Sequence, residues 1–217
     1  MRLAPDHLVI AARTLDDGVD WCDATLGLRP VSGGQHLFMG THNRVFDVSS
    51  ARFPRSYVEI IAVDPSRPAP AHPRWFELDD SALQQQLARG PQLVHWVARV
   101  DGDDIETTRA AMLRAGVDCG DVMSAERGTL RWRITVRADG RRALAGAAPA
   151  LIEWADAHPT DALTASGVRL EALHVGAPAL RELLPAAIGC DAAAPLVAVL
   201  ATPRGSVTLT TPLMKES

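Results

Sequence analysis

The amino-acid sequence predicts an α+β fold made of two consecutive βαβββ modules followed by a partial third module of βαββ order. Three observations carry that prediction. A histidine interrupts a short apolar run at Pro5-Asp6-His7-Leu8-Val9-Ile10-Ala11, and the pattern returns 88 positions later at Leu93-Val94-His95-Trp96-Val97-Ala98-Arg99. Each copy leads into a helix-like segment ending at a glycine, 20 positions after the first histidine at Gly27 and 21 after the second at Gly116. A glutamate then interrupts a second apolar run in each half, Tyr57-Val58-Glu59-Ile60-Ile61 and Ala150-Leu151-Ile152-Glu153-Trp154, 52 and 58 positions after the respective histidines.

Taken in order, the first module spans residues 1–63. Its opening strand covers roughly 5–12, and a period of two puts His7, Val9 and Ala11 on one face with Leu8, Ile10 and Ala12 on the other. Thr14 is placed to cap a helix over about 15–25, with Asp16 and Asp17 in its first turn, where carboxylates suit the helix dipole. Leu15, Val19, Cys22 and Leu26 form its apolar stripe. Three β-like pieces follow near 29–40, 43–48 and 56–63, separated by Gly33-Gly34, by Gly40-Thr41-His42-Asn43 and by a segment containing Pro54. Residues 64–91 form a linker, with four prolines in 64–73, and a short helix over 80–89 that buries Leu83 and Leu87. The second module, 92–157, repeats the order with a strand at 92–100, a helix near 103–115 and β-like pieces near 118–123, 130–137 and 149–155. The partial module, 165–213, reads as a strand near 168–175, a helix from about 178 to 188 and strands near 195–202 and 205–211. It lacks a final strand bearing glutamate and is assigned to structure.

Composition narrows the function. With 217 residues, 47% of them hydrophobic, the chain can bury a sizeable core, and a net charge of −4 with no basic run gives no reason to expect nucleic acid or a membrane surface as partner. No signal segment or membrane span is read, so a cytoplasmic location and a small-molecule partner are expected. Cys22, Cys119 and Cys190 are too far apart for a zinc or redox motif and read as free thiols.

The chemistry is expected at the paired histidines and glutamates. Burying an ionised carboxylate costs several kcal/mol (of order 3 or more) unless a cation or good hydrogen bonds offset it, so Glu59 and Glu153 within apolar strands call for a reason. Taken singly, either glutamate also reads as an exposed outer-face residue and either histidine as a hydrogen-bonded core residue. The repetition favours a common centre: His7, Glu59, His95 and Glu153 converging on a divalent metal (Ni, Zn, Mn, Fe or Co) with positions left for water or substrate.

At this point the sequence resembles the vicinal oxygen chelate superfamily, which groups glyoxalases, bleomycin-resistance proteins and extradiol dioxygenases, and within it the glyoxalase-like domain proteins. The likeness rests on Asp6-His7-Leu8-Val9, Leu26-Gly27-Leu28, Tyr57-Val58-Glu59-Ile60 and the counterparts at His95 and Glu153. Gly40-Thr41-His42-Asn43-Arg44, Arg74-Trp75-Phe76 and Leu130-Arg131-Trp132-Arg133-Ile134 add to it. The resemblance implies paired modules enclosing a cavity, metal ligands on the first and last strands of each, and Glu153 or Glu59 as the base that moves a proton between adjacent carbons. It implies an isomerase or lyase. The alternatives are a non-catalytic protein that sequesters a small molecule and a ring-cleaving dioxygenase.

The remaining polar candidates are substrate-binding groups. His42 and Asn43 sit in what reads as a tight turn and either face the cavity or serve the turn. Arg131 and Arg133 share one strand face, opposite Leu130, Trp132 and Ile134, and either grip a carboxylate or phosphate or face solvent. Trp75-Phe76 and Trp96 read as packing residues, with Trp75-Phe76, which follows the proline linker, the better candidate for a lid over the pocket. His36, His72, His158 and His174 have no copy in the other module and are assigned to surface or local structure. The modules pair within one chain or by exchange in a homodimer.

Overall fold

The computed structural model describes residues 3–102 and 104–211. The predicted helix start at 103 and the last two positions of the partial module, 212 and 213, fall outside them. The first module runs β1 (Leu3–Ala11), α1 (Leu15–Leu26), β2 (Val31–His36), β3 (Thr41–Asp47) and β4 (Tyr57–Val63). A short helix α2 (Ser81–Leu87) precedes the second module, which runs β5 (Gln92–Val100), α3 (Ile105–Arg114), β6 (Asp121–Arg127), β7 (Leu130–Val136) and β8 (Ala150–Trp154). The chain continues through β9 (Arg169–Val175), β10 (Ile188–Gly189), β11 (Leu196–Thr202) and β12 (Gly205–Thr210).

The local signals operate as residue chemistry requires. Thr14 accepts a hydrogen bond from the Asp17 amide at the start of α1, and Gly27 ends it in the left-handed region at φ 76°. The buried stripe of α1 differs from expectation in one place: Gly18, not Val19, meets the sheet, because a Cβ there would stand 2.3 Å from Ile60 Cγ2. At this point helix and strand come close enough that only a glycine fits. Asp80 and Asp104 cap α2 and α3 through their carboxylates.

Eight strands form one curled sheet in the order β2-β3-β4-β1-β5-β8-β7-β6. The modules meet within one chain, where β1 and β5 pair antiparallel with His7 opposite Val97 and Val9 opposite His95. That reciprocal register makes His7 and His95 equivalent under a local two-fold axis, as the duplication requires. Both central strands are apolar on both faces because both are covered. Leu8, Ile10, Trp96 and Ala98 join the core beneath the helices, whereas Val9, Ala11, Val97 and Ile152 line the inner face. The second sheet, β10-β9-β11-β12, shares the helix-side core through Leu170, Leu173 and Ala198.

Two expectations need correction. Residues 178–188 do not form a helix; one 3-10 turn at Pro178–Leu180 is followed by a bend and the short β10. Pro185 lies inside the predicted span, where it has no amide to give and its ring obstructs the preceding turn. Thr41, His42 and Asn43 already belong to β3, and the turn falls at 37–40, closing on Gly40 at φ 58°. Among the described residues no helix is long and apolar enough to cross a membrane.

Candidate active site

A β-bulge organises the site. The register of β1 shifts between Pro5 and His7, so Asp6 is an extra residue and two adjacent side chains reach the inner face together. Asp6 Oδ1 lies 2.6 Å from His7 Nδ1, and Asp6 Oδ2 accepts from Trp154 Nε1 at 3.0 Å and lies 2.9 Å from His158 Nε2. Arg99 stands 3.6 Å away. Burial alone would raise the Asp6 pKa, but the hydrogen bonds and charge of His158 and His7 outweigh it and hold the carboxyl well below the usual range. An ionised carboxylate only accepts, so His7 donates Nδ1–H to it and turns Nε2 into the cavity. Tyr57 stacks on the His7 ring with centroids 4.6 Å apart.

Opposite stands Glu59, on the inner face of β4. Its Oε2 lies 3.8 Å from His7 Nε2, too far for a direct hydrogen bond. Its Oε1 accepts from Asn43 Nδ2 at 2.5 Å and lies 3.7 Å from His36 Nε2. Asn43 is fixed in turn, since the Gly34 amide donates to its Oδ1 at 2.6 Å. Gly33 has to be a glycine here: a Cβ would sit 1.9 Å from that same oxygen. His36 lies 3.0 Å from Thr41 Oγ1 through Nδ1, and burial first, then the charges of Arg127 and neighbouring histidines against the pull of Glu59, push its pKa down to about 4. Trp75, Phe76, Trp132 and Trp154 wall the cavity, with Arg127 at its rim.

The second module offers no counterpart. By the β1–β5 register, the residue equivalent to Glu59 is Ala150, opposite Val97 as Glu59 is opposite Val9. Glu153 lies three residues further on, and an odd offset turns a strand residue to the other face. It points to the helix side, where Arg133 donates to it at 2.6 Å and also bonds Asp104 at the start of α3. His95 is inside, with its Nε2 accepting from the Ala150 amide at 3.1 Å and its buried Nδ1 left without a partner. Burial, with Arg142 and His7 adding, pushes its pKa down to about 3. It lines a separate small cavity, divided from that of His7 by Trp75 and Phe76.

The four expected ligands are therefore not brought together, which corrects the expectation of one shared metal centre. His7 and Glu59 share a cavity; His95 and Glu153 do not join them. The Asn43 amide group, a donor, occupies the sector between Glu59 Oε1 and His36 Nε2 where a cation would need lone pairs. Among the described residues no group of three or more His, Cys, Asp or Glu is placed to hold a metal ion. Of the expected substrate groups, Asn43 and Trp75 are in the cavity. His42 shares the outer face with its ladder partner Ala62, and Arg131 and Arg133 pair with Asp156 and Glu153 away from the cavity.

A family model for the glyoxalase-like domain matches residues 6–187. This chain belongs to that family. It is a member of the vicinal oxygen chelate superfamily. A crystal structure of a hypothetical protein from Staphylococcus aureus shares the fold over 97% of this chain and 86% of its own, with a TM-score of 0.53 and 14% identity. Methylmalonyl-CoA epimerase from Streptomyces coelicolor, in complex with 2-nitronate-propionyl-CoA, matches 71% of this chain and 100% of its own at 20% identity and TM-score 0.44. The enzyme of that name from Mycobacterium tuberculosis matches 73% and 91% at 19% identity and TM-score 0.42. No curated protein gave a significant match.

Sequence reasoning passed over Asp6, His36, His158 and Arg127 in this glyoxalase-like domain. Asp6 needed the bulge to be known, and His158 arrives 152 positions later in sequence than Asp6. Arg127 was findable: a two-residue turn at Gly128-Thr129 puts it opposite Leu130, on the face of Trp132.

Proposed function

We propose that this glyoxalase-like domain is a proton-transfer enzyme of the isomerase or lyase class, acting on a small oxygen-bearing substrate at the His7 and Glu59 pair. One observation carries the reading. A carboxylate and an imidazole face each other 3.8 Å apart in an aromatic-walled cavity, and each is fixed from behind, Glu59 by Asn43 and His7 by Asp6. Glu59 Oε2 is left open by the Asn43 bond to Oε1 and takes a proton from a carbon beside a carbonyl; the C–H pair moves into the enolate. The Glu59 carboxyl then returns that proton to the adjacent carbon or to the enolate oxygen, while His7 Nε2, left as a lone pair by the tautomer that Asp6 sets, accepts a hydrogen bond from a hydroxyl of the substrate. The ring stack of Tyr57 keeps the imidazole aligned. The donor set of the cavity does not fit a metal, since the Asn43 amide stands between Glu59 Oε1 and His36 Nε2.

The test is carbon-bound hydrogen exchange. Protein incubated in D2O with a panel of small 2-oxo and 2-hydroxy acids, followed by NMR, should exchange a carbon-bound proton of at least one member. A His7→Gln variant should exchange it roughly a hundredfold or more slowly. A second reading, a protein that only encloses a small planar ligand, draws support from the aromatic walls at Trp75, Phe76, Trp132 and Trp154. Tight ligand binding with no exchange in any panel member would favour it.

A further inference from the structure

We infer that Arg127 is the anchor for a carboxylate on the substrate, so that this cavity takes small organic acids and rejects their neutral amides. This deepens the proton-transfer reading and rests on it for the identity of the site. The β6–β7 hairpin sets Arg127 opposite Leu130, on the same face as Trp132, and the side chain lines the cavity with His7, His36 and Glu59. Its neighbours on the hairpin are used up: Arg131 pairs with Asp156, and Arg133 with Glu153 and Asp104. Arg127 makes no hydrogen bond or ion pair among the described residues, Glu59 included.

The other edge of the sheet makes room for it. A Cβ on Gly34 would lie 2.3 Å from Arg127 Cδ and 2.6 Å from Nη1, so the side chain lies across the bare backbone of β2. The same glycine amide fixes Asn43, and through it Glu59. One backbone segment thus sets the guanidinium relative to the carboxylate assigned as base. A half-buried guanidinium without an acceptor favours an anion, and its planar fork matches a carboxylate better than any neutral carbonyl. A proton leaving the carbon beside that carboxylate sends charge onto it, where Arg127 stands to stabilise it.

Oxalate, whose two carboxylates place oxygens on adjacent carbons, is the probe, with oxamide as the neutral isostere, both titrated calorimetrically into the intact protein. The wild type should bind oxalate and bind oxamide at least tenfold more weakly. Arg127→Gln should weaken oxalate by roughly ten- to a hundredfold, Arg127→Lys by less, and Arg133→Gln should leave it unchanged. Circular dichroism on each variant separates lost binding from lost fold. Equal affinity for oxamide, no oxalate binding by the wild type, or full oxalate binding by folded Arg127→Gln would each overturn the assignment. The two readings fail separately: a Glu59→Gln variant that still exchanges carbon-bound hydrogen removes Glu59 as base but leaves the Arg127 result standing.

Discussion

The two modules were built alike and have come to differ at one strand register. In the first, the histidine of the opening strand faces a glutamate across a gap. In the second, the equivalent glutamate position is Ala150, and its amide bonds the His95 ring instead. The glutamate that remains nearby, Glu153, is three residues further on and engages Arg133 on the helix side. The first histidine keeps Nε2 turned toward Glu59, whereas the second gives its Nε2 to the Ala150 amide and keeps only Nδ1 without a partner. A duplicated sequence pattern does not guarantee a duplicated site, because a shift of an odd number of residues along a strand reverses the face.

Breaking the first-module centre should have the largest effect. Asp6→Asn leaves a neutral amide where three donors now meet a carboxylate, so His7 loses its tautomer and aim. Carbon-bound hydrogen exchange should fall on the order of a hundredfold, and chemical denaturation should show a stability loss of about 1–3 kcal/mol. In the second module the same kind of change should touch folding alone. His95→Phe leaves the Ala150 amide without its acceptor and should cost about 1–3 kcal/mol with exchange retained.

The pH dependence sharpens the comparison further. The unfolded His95 imidazole binds a proton near 6.5, but the folded one resists until about 3. Its contribution to stability is therefore whole above pH 6.5 and is lost progressively as pH falls toward 3, at up to about 1.4 kcal/mol per pH unit. Urea titrations of the wild type and His95→Phe at pH 7 and pH 5 should show a gap that narrows at the lower pH. His36, held down to about 4, supplies a similar dependence that this variant keeps. The smallest effect belongs to the outer face. Arg131→Ala breaks only an exposed pair with Asp156 and should change stability by less than about 1 kcal/mol.

The sequence made much of this legible. Period two correctly divided β1 into His7, Val9 and Ala11 against Leu8, Ile10 and Ala12, and the glycine-ended helices and repeated strands marked both modules. Short-range chemistry sufficed there, since each signal lies within one turn or one strand. Glu153 went astray because counting from a histidine through three intervening elements does not preserve strand parity. Asp6 was hidden by a bulge that no propensity announces. His36 and His158 reach the centre through contacts between elements far apart in sequence, which a search for repeats discards because neither is repeated.

The working pair, His7 and Glu59, comes from the first module, while the second supplies walls and the Arg127 guanidinium, and carbon-bound hydrogen exchange in two variants distinguishes the modules' glutamates. Carbon-bound hydrogen exchange is compared in Glu59→Gln and Glu153→Gln, each checked for fold. Glu59→Gln should lose roughly a hundredfold or more, and Glu153→Gln, whose carboxylate engages Arg133 on the helix side, should stay within about twofold of wild type. Equal losses in the two variants would contradict this and make Glu153 a working partner of Glu59.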